Sequence, residues 1–352
     1  MQRAHVLVTG GNGHLGHQLV RTLRARGHRV RASIRDLSDE SKARRLRALD
    51  VELVQADLTQ PDTWGPACEG VDVVVHSAAV FDTTTTDPKG DLWVPNIEGT
   101  GHVIRAAAAA SVRRVVYTSS VAAVGTIEPG LSPLDESSWN ERAIEPYAQS
   151  KREGEREAWR VSKTVGIDLV AVLPSTMLGP GFTRHTPSTR LIAAARAGEF
   201  PMTLPMALSY VDVRDVALAH ALAVESPSAH GRYIAANRTL GMRELLENLN
   251  RIDASVKVPR HELPAWLLWL LPILDWTEHK LKGKPRQMTR SVLKEYGARA
   301  QAVSNARLCR ELGWMPRPMS ETLTDTLAWI RDGLEVPNAA DGGSAAGLAQ
   351  QP

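Results

Sequence analysis

Two side chains in the stretch YAQSK, Tyr147 and Lys151, are spaced so that on a helix they share one face, one turn apart. A phenol near its reference pKa of about 10 is a poor proton carrier at neutral pH. A neighbouring ammonium favours the phenolate and lowers that value, which would make Tyr147 a general acid–base tuned by Lys151. The stretch Thr118–Ser120 supplies hydroxyls that can hold a carbonyl oxygen, or cap a turn and do nothing further. A third group lies at the start of the chain. Gly10, Gly13 and Gly16 follow the apolar run Val6–Val8 and precede Leu15, Leu19, Val20 and Leu23, which recur with helical period. Glycine suits a tight turn where a diphosphate must approach the backbone and a new helix must pack on a sheet. The helix N-terminus then offers free N–H donors to the phosphates.

These residues are carried by an alternation of strands and helices. The pattern predicts strands at Ala4–Val8, His28–Ile34, Val51–Gln55, Asp72–His76, Arg114–Ser119 and Asp168–Leu173. Helices are expected over Leu15–Arg26, Asp39–Leu49, Pro61–Cys68, Trp93–Ala110 and Pro146–Lys163, with a loop over Thr126–Glu145. Such alternation specifies an α/β fold, a doubly wound parallel sheet of Rossmann type with helices on both faces. Ligands of such sheets bind beyond the carboxyl ends of the strands, where the candidate residues fall. After Pro174 the alternation stops and helices dominate, at Ser188–Ala197, Val213–Val224 and Met242–Asn250, with a short strand expected at Tyr233–Ala235. The expected organisation is therefore a dinucleotide-binding domain over 1–174 and a smaller, mainly helical substrate lobe over 175–335. Some chain returns to the first domain around 210–225, and a disordered tail spans 336–352.

Composition narrows the function. The 42 Lys and Arg against 39 Asp and Glu give a net charge of +3, so bulk charge implies no nucleic-acid partner. Cys68 and Cys309 lack metal-type spacing, which argues for a reducing, cytoplasmic setting and against a metal site. The chain enters a strand within a few residues, so no signal peptide is expected, and no apolar run reaches the roughly 20 residues a membrane span needs.

Taken together, TGGNGHLG, HSAA, NIEGT, YTSSVAAVG, DESSWN, YAQSK, LPSTMLGP and VDVRDVALAH resemble the extended short-chain dehydrogenase/reductase superfamily, which is also the NAD-dependent epimerase/dehydratase family. The likeness is to its dihydroflavonol reductase, cinnamoyl-CoA reductase and 3β-hydroxysteroid dehydrogenase-like group. The resemblance implies a relay in which Tyr147 is the acid–base, Lys151 lowers its pKa and binds the nicotinamide ribose, and Ser120, rather than Ser119, holds the reacting oxygen. It further implies that Gly10, Asn12, Gly13, His14, Leu15 and Gly16 hold the diphosphate, and that Asp57 and Leu58 lie at the adenine. Ser77, Ala78 and Ala79 would line the cofactor, with Pro174, Ser175, Thr176 and Met177 beside the nicotinamide. Asn96 would support the region between the fourth and fifth strands. Val80, Phe81 and Val121 are expected at the substrate. His14 departs from the family, which more often carries Phe or Tyr there.

Arg35 closes the second strand where it can pair with a 2′-phosphate, and Asp36 comes one position late for the ribose hydroxyls. Lys42, Arg44 and Arg45 follow. NADP(H) is favoured and NAD(H) is possible. The apolar stretch Leu263–Trp276 and the basic residues after it, Lys280, Lys282, Lys284, Arg286 and Arg290, read as a buried helix with a solvated neighbour. A hydrophobic substrate entrance or a peripheral membrane contact is the alternative. Arg184, Arg190 and Arg232 keep a sugar nucleotide open. The expected function is reduction of a hydrophobic ketone or aldehyde by a monomer or homodimer. The alternatives are a 3β-hydroxysteroid dehydrogenase-like enzyme, a sugar-nucleotide epimerase and a non-catalytic dinucleotide sensor.

Overall fold

The computed structural model of the chain describes residues 3–81, 85, 87–283, 286 and 288–333. The tail expected to be disordered lies outside the described residues.

Strands β1 (His5–Thr9), β2 (Arg29–Ile34), β3 (Glu52–Gln55), β4 (Val73–His76), β5 (Arg114–Thr118) and β6 (Asp168–Pro174) form a parallel sheet in the order β3-β2-β1-β4-β5-β6. Val6 and Val8 of β1 point into one apolar layer and Leu7 into the other, because successive side chains alternate across a strand. The first layer is closed by α1 (His14–Ala25) and α2 (Glu40–Arg47), the second by α3 (Trp64–Cys68), α4 (Gly99–Ala109) and α5 (Pro146–Val165). A parallel sheet needs both covers, since both faces are apolar. The strand order reverses between β1 and β4, which opens a crevice at their carboxyl ends.

The structure departs from the sequence reading at the Trp93 helix, at Tyr233–Ala235 and in the strands of the lobe. The helix expected from Trp93 begins earlier, with wide π-type turns over Lys89–Glu98 that contain Pro95, and continues as α4. Proline has no N–H to donate, and the altered winding absorbs it. After β7 (Thr176–Leu178), α6 (Pro187–Arg196) and β8 (Ala207–Asp212), helix α7 (Val213–Glu225) packs beside α1. The strand at Tyr233–Ala235, expected in the lobe, is β9 (Gly231–Ala235) and forms the seventh strand of the main sheet, parallel to β6. The lobe has its own small sheet. There β8 pairs antiparallel with β10 (Arg238–Gly241) and parallel with β7 and with β11 (Ala300–Gln301). These short strands lack a clear period-2 pattern. Their core is shared with α6, α8 (Met242–Ile252) and α12 (Met319–Arg331). The lobe continues through α9 (Leu271–Lys282), α10 (Arg290–Tyr296) and α11 (Ala306–Leu312).

Candidate active site

The glycine turn is built by close approach. Gly10 has φ +66°, and a Cβ there would lie 3.0 Å from Ala78 Cα. A Cβ on Gly16 would lie 2.1 Å from the Gly10 carbonyl oxygen, so α1 can start only with glycine at that position. Gly13 caps α1 without a side-chain hydrogen bond, which leaves the first-turn N–H groups facing the crevice between β1 and β4. His14 is buried, stacks on Phe182 (centroids 5.4 Å apart, 28° between planes) and is held at about 4 chiefly by burial, so it is neutral at neutral pH. Arg45, expected near the cofactor's 2′ position, instead donates to the Gly181 carbonyl at 2.8 Å. Lys42 pairs with Asp39 at 2.5 Å. Arg35 stays exposed at the end of β2 with no partner among the described residues, while the Asp36 carboxylate accepts from the Ser38 N–H and hydroxyl at 2.9 and 2.6 Å.

The loop after β4 is fixed by a chain of polar groups. The Thr9 hydroxyl accepts from the N–H groups of Ser77 (3.0 Å) and Ala78 (2.9 Å), so its proton goes to His76 Nδ1 at 2.9 Å. His76 Nε2–H then donates to Thr100 Oγ1 (3.2 Å), whose own proton goes to the Asn96 carbonyl (2.8 Å). Burial holds His76 at about 3, with Lys151 adding to the effect, so this imidazole is a neutral connector. The Asn96 side chain closes the loop by accepting from Val80 N at 2.7 Å and donating to Val80 O at 2.9 Å. It also donates to Ser150 Oγ on α5 at 3.2 Å. Asp57 turns its carboxylate onto Thr59 (2.8 Å to both N and Oγ1), and Leu58 packs against the core under Gly99.

The two serines after β5 have different fates. Ser119 is buried and donates to Glu155 Oε2 at 2.6 Å. Ser120 opens a short 3-10 turn, accepts from Ala122 N at 3.1 Å and faces the Tyr147 phenol closely enough to lower its pKa. The Phe81 ring meets the Tyr147 ring edge-on at 4.4 Å between centroids. Lys151, one turn further along α5, is buried and donates to the Thr118 carbonyl at 2.9 Å. Thr118 is in turn held by His220, whose Nδ1–H donates to the Val216 carbonyl (2.8 Å) and whose Nε2 accepts from Thr118 Oγ1 (2.8 Å).

Two expectations are corrected here. Tyr147 is not lowered by Lys151 in the folded chain. Burial pushes the phenol above its usual value, the nearby Ser120 hydroxyl offsets part of this and Glu145 raises it further. Lys151 is itself drawn down to about 8 by burial, against the pull of Glu155, and its ammonium is aimed at a backbone carbonyl. Val121, expected at the substrate, is 2 % exposed and belongs to the core between sheet and α5. Arg232 is also unavailable to a ligand phosphate. It pairs with the fully buried Glu155 at 2.7 Å, donates to the carbonyls of Glu136 and Ser138, and stacks on Trp139 at 4.0 Å.

The sequence reading missed the floor beneath Tyr147. Glu145 caps α5, accepting from Ala148 N at 2.8 Å, and burial raises its carboxyl, with Glu295 adding to the effect. Glu295, from α10 in the lobe, accepts from Asn140 Nδ2 and Ile144 N, both at 2.7 Å. No sequence signal links residues 150 positions apart. Thr9 and His76 were missed as well, although a polar residue ending a buried strand is a signal that could have found them.

The cradle fits a nicotinamide dinucleotide. Besides the uncapped α1 terminus, Ser175 keeps a buried hydroxyl without a partner among the described residues at the end of β6, next to Thr176 and Met177. A model of the NAD dependent epimerase/dehydratase family matches residues 6–237, and the chain belongs to that family. It is an NAD(P)-dependent oxidoreductase of the extended short-chain dehydrogenase/reductase type. It is 33 % identical to cinnamoyl-CoA reductase 1 of Arabidopsis thaliana over 307 residues, covering 83 % of each chain. It is 30 % identical to a putative dihydroflavonol 4-reductase of a Synechocystis strain over 334 residues, covering 92 % of this chain and 94 % of that one. Its fold matches the yeast methylglyoxal/isovaleraldehyde reductase complexed with NADPH with a TM-score of 0.75, at 24 % identity, over 94 % of this chain and all of the other.

Proposed function

We propose that this chain reduces a hydrophobic ketone or aldehyde to its alcohol with NADPH, through Ser120, Tyr147 and Lys151. The reading rests on one observation, the Ser120 hydroxyl facing the Tyr147 phenol at the carboxyl edge of the sheet, with the Phe81 ring edge-on to the phenol at 4.4 Å between centroids. A bound nicotinamide dinucleotide would supply the hydride. Ser120 and Tyr147 would both donate to the carbonyl oxygen, orienting it, and Tyr147 would hand over its proton as the alcohol forms. A phenol held above its usual value stays protonated at neutral pH, as a reductase needs. Lys151, adjoining the ribose position, would hold positive charge near the phenolate that remains. Asn12, Gly13, His14, Leu15 and the flanking glycines would take the diphosphate, and Ser77 to Ala79 with Pro174 to Met177 would border the nicotinamide.

Arg35 supports NADPH over NADH, because it is unpaired where a 2′-phosphate would sit and Asp36 is already occupied by Ser38. Phe81 and Val80 support an apolar substrate, and the locked Arg232 argues against a sugar nucleotide. The test is a panel of apolar and polar carbonyls assayed for NADPH and NADH oxidation, alongside mass spectrometry of any ligand that co-purifies. NADPH oxidation with apolar carbonyls is expected. Tightly held NAD and interconversion of nucleotide sugars, with no net oxidation of either cofactor, would refute it.

A further inference from the structure

A surface helix normally turns its apolar stripe inward. The run from Ala265 to Lys282, a 3-10 stretch followed by α9, does the reverse. Trp266, Trp269, Ile273 and Trp276 recur at intervals of three and four, so they share one face, and that face is outward. Their exposures are 72, 62, 45 and 49 %, and the adjoining Leu274 and Leu281 reach 60 and 84 %. The buried-helix reading of this stretch is therefore overturned. Beside this face, a groove of about 590 Å³ is lined by Ile273, Trp276, Arg286, Arg290 and Ser291.

The charge around the patch is predominantly basic, although Arg286 is paired with Asp275 at 3.0 Å. Between Arg260 and Lys294 the sequence has seven Lys or Arg against three Asp or Glu, a net +4, whereas the whole chain carries +3. Basic charge is thus concentrated on the segment that also exposes three of the nine tryptophans. Lys280 and Arg290 are exposed at its flank. A second copy of the same face would bring +4 against +4, which disfavours self-association. A negatively charged apolar boundary meets both features, since tryptophan rings rest at the headgroup level and basic residues are drawn to anionic lipid. No helix among the described residues is long and apolar enough to cross a membrane, so the contact would lie in the plane of the surface.

We propose that the Trp266–Leu281 face docks on the surface of an anionic phospholipid bilayer. The face adjoins α10, where Leu268 would lie 3.3 Å from a Cβ on Gly297. Docking stands apart from the choice of substrate.

The test is co-sedimentation of the full chain with vesicles of phosphatidylcholine alone and of phosphatidylcholine with phosphatidylglycerol. The wild type is compared with Trp266→Ser/Trp269→Ser and with Lys280→Glu/Arg290→Glu, using thermal melting and light scattering as controls for folding and assembly. The expected result is binding to the mixed vesicles that weakens in high salt and falls about tenfold or more in each double variant, with unchanged melting. If the tryptophan variant misfolds, the charge-reversed variant decides alone. Absence of wild-type binding, binding indifferent to lipid charge, or binding unaffected by the substitutions overturns the proposal. So does a wild-type dimer that the tryptophan variant converts to monomer, which would make the face an interface between copies.

Discussion

The Lys151 ammonium donates to the Thr118 carbonyl oxygen at 2.9 Å, and the side chain bearing it is buried on the same helix face as Tyr147. Two serines further along that strand end, only Ser120 is left for the phenol, because Ser119 is consumed by Glu155. The orientation of both ends of the relay is thus set by β5 and α5 together.

Replacing Tyr147 with Phe keeps the ring and its edge-on contact with Phe81 but removes the proton donor. Turnover is expected to fall by about 10²–10⁴-fold, the range for a positioned acid–base, with NADPH affinity unchanged. Stopped-flow hydride transfer together with a cofactor titration separates the two. Unchanged turnover would remove Tyr147 from the mechanism.

With Lys151 at about 8, the ammonium is lost as the pH passes that value. The kcat/KM for carbonyl reduction is expected to decline above about pH 8, and in Lys151→Arg the decline should move to higher pH, because guanidinium keeps its charge. Stability runs in the opposite sense. The folded value lies below the ordinary 10.5, so the folded chain gives up the proton first and gains stability relative to the unfolded chain as pH rises between the two values. The melting-temperature difference between wild type and Lys151→Met should therefore shift in the wild type's favour from about pH 8 to 10.5.

Arg35→Ala should weaken NADPH binding about ten- to a hundredfold, as expected for losing a charge-assisted contact to phosphate, and leave NADH binding nearly unchanged. Isothermal titration with both cofactors reads this directly. Equal losses for the two would place Arg35 elsewhere on the cofactor or nowhere near it.

Glu155→Ala strands the Arg232 guanidinium, which is 8 % exposed on its side chain, and frees Ser119. Removing one partner of a buried ion pair costs about 3–5 kcal/mol, so a large drop in thermal stability is expected. The double variant Glu155→Ala/Arg232→Met should recover part of it. A single variant that melts like wild type would show that the pair contributes nothing net.

Gly16→Ala places a methyl carbon against the Gly10 carbonyl, where only 2.1 Å is available. The turn must open, and loss of dinucleotide binding with a lower melting temperature is expected by titration and calorimetry.

The sequence by itself determined the parallel sheet, the glycine turn and the Tyr147/Lys151 spacing. These are local properties, written in apolar runs, helical periods and residues a few positions apart. It also showed which strand ends carry hydroxyls, and so brought Ser120 near the right place. Only the tertiary structure decided the electrostatics, because a pKa depends on burial and on partners distant in sequence. Burial reversed the expected direction for Tyr147, and Glu155, reached through α5, claimed both Ser119 and Arg232. The same reason hid Glu295 beneath α5 and the strand β9 in the main sheet. It also applies to the Trp266 face, since an apolar periodicity identifies a stripe but not which side of it the rest of the chain covers.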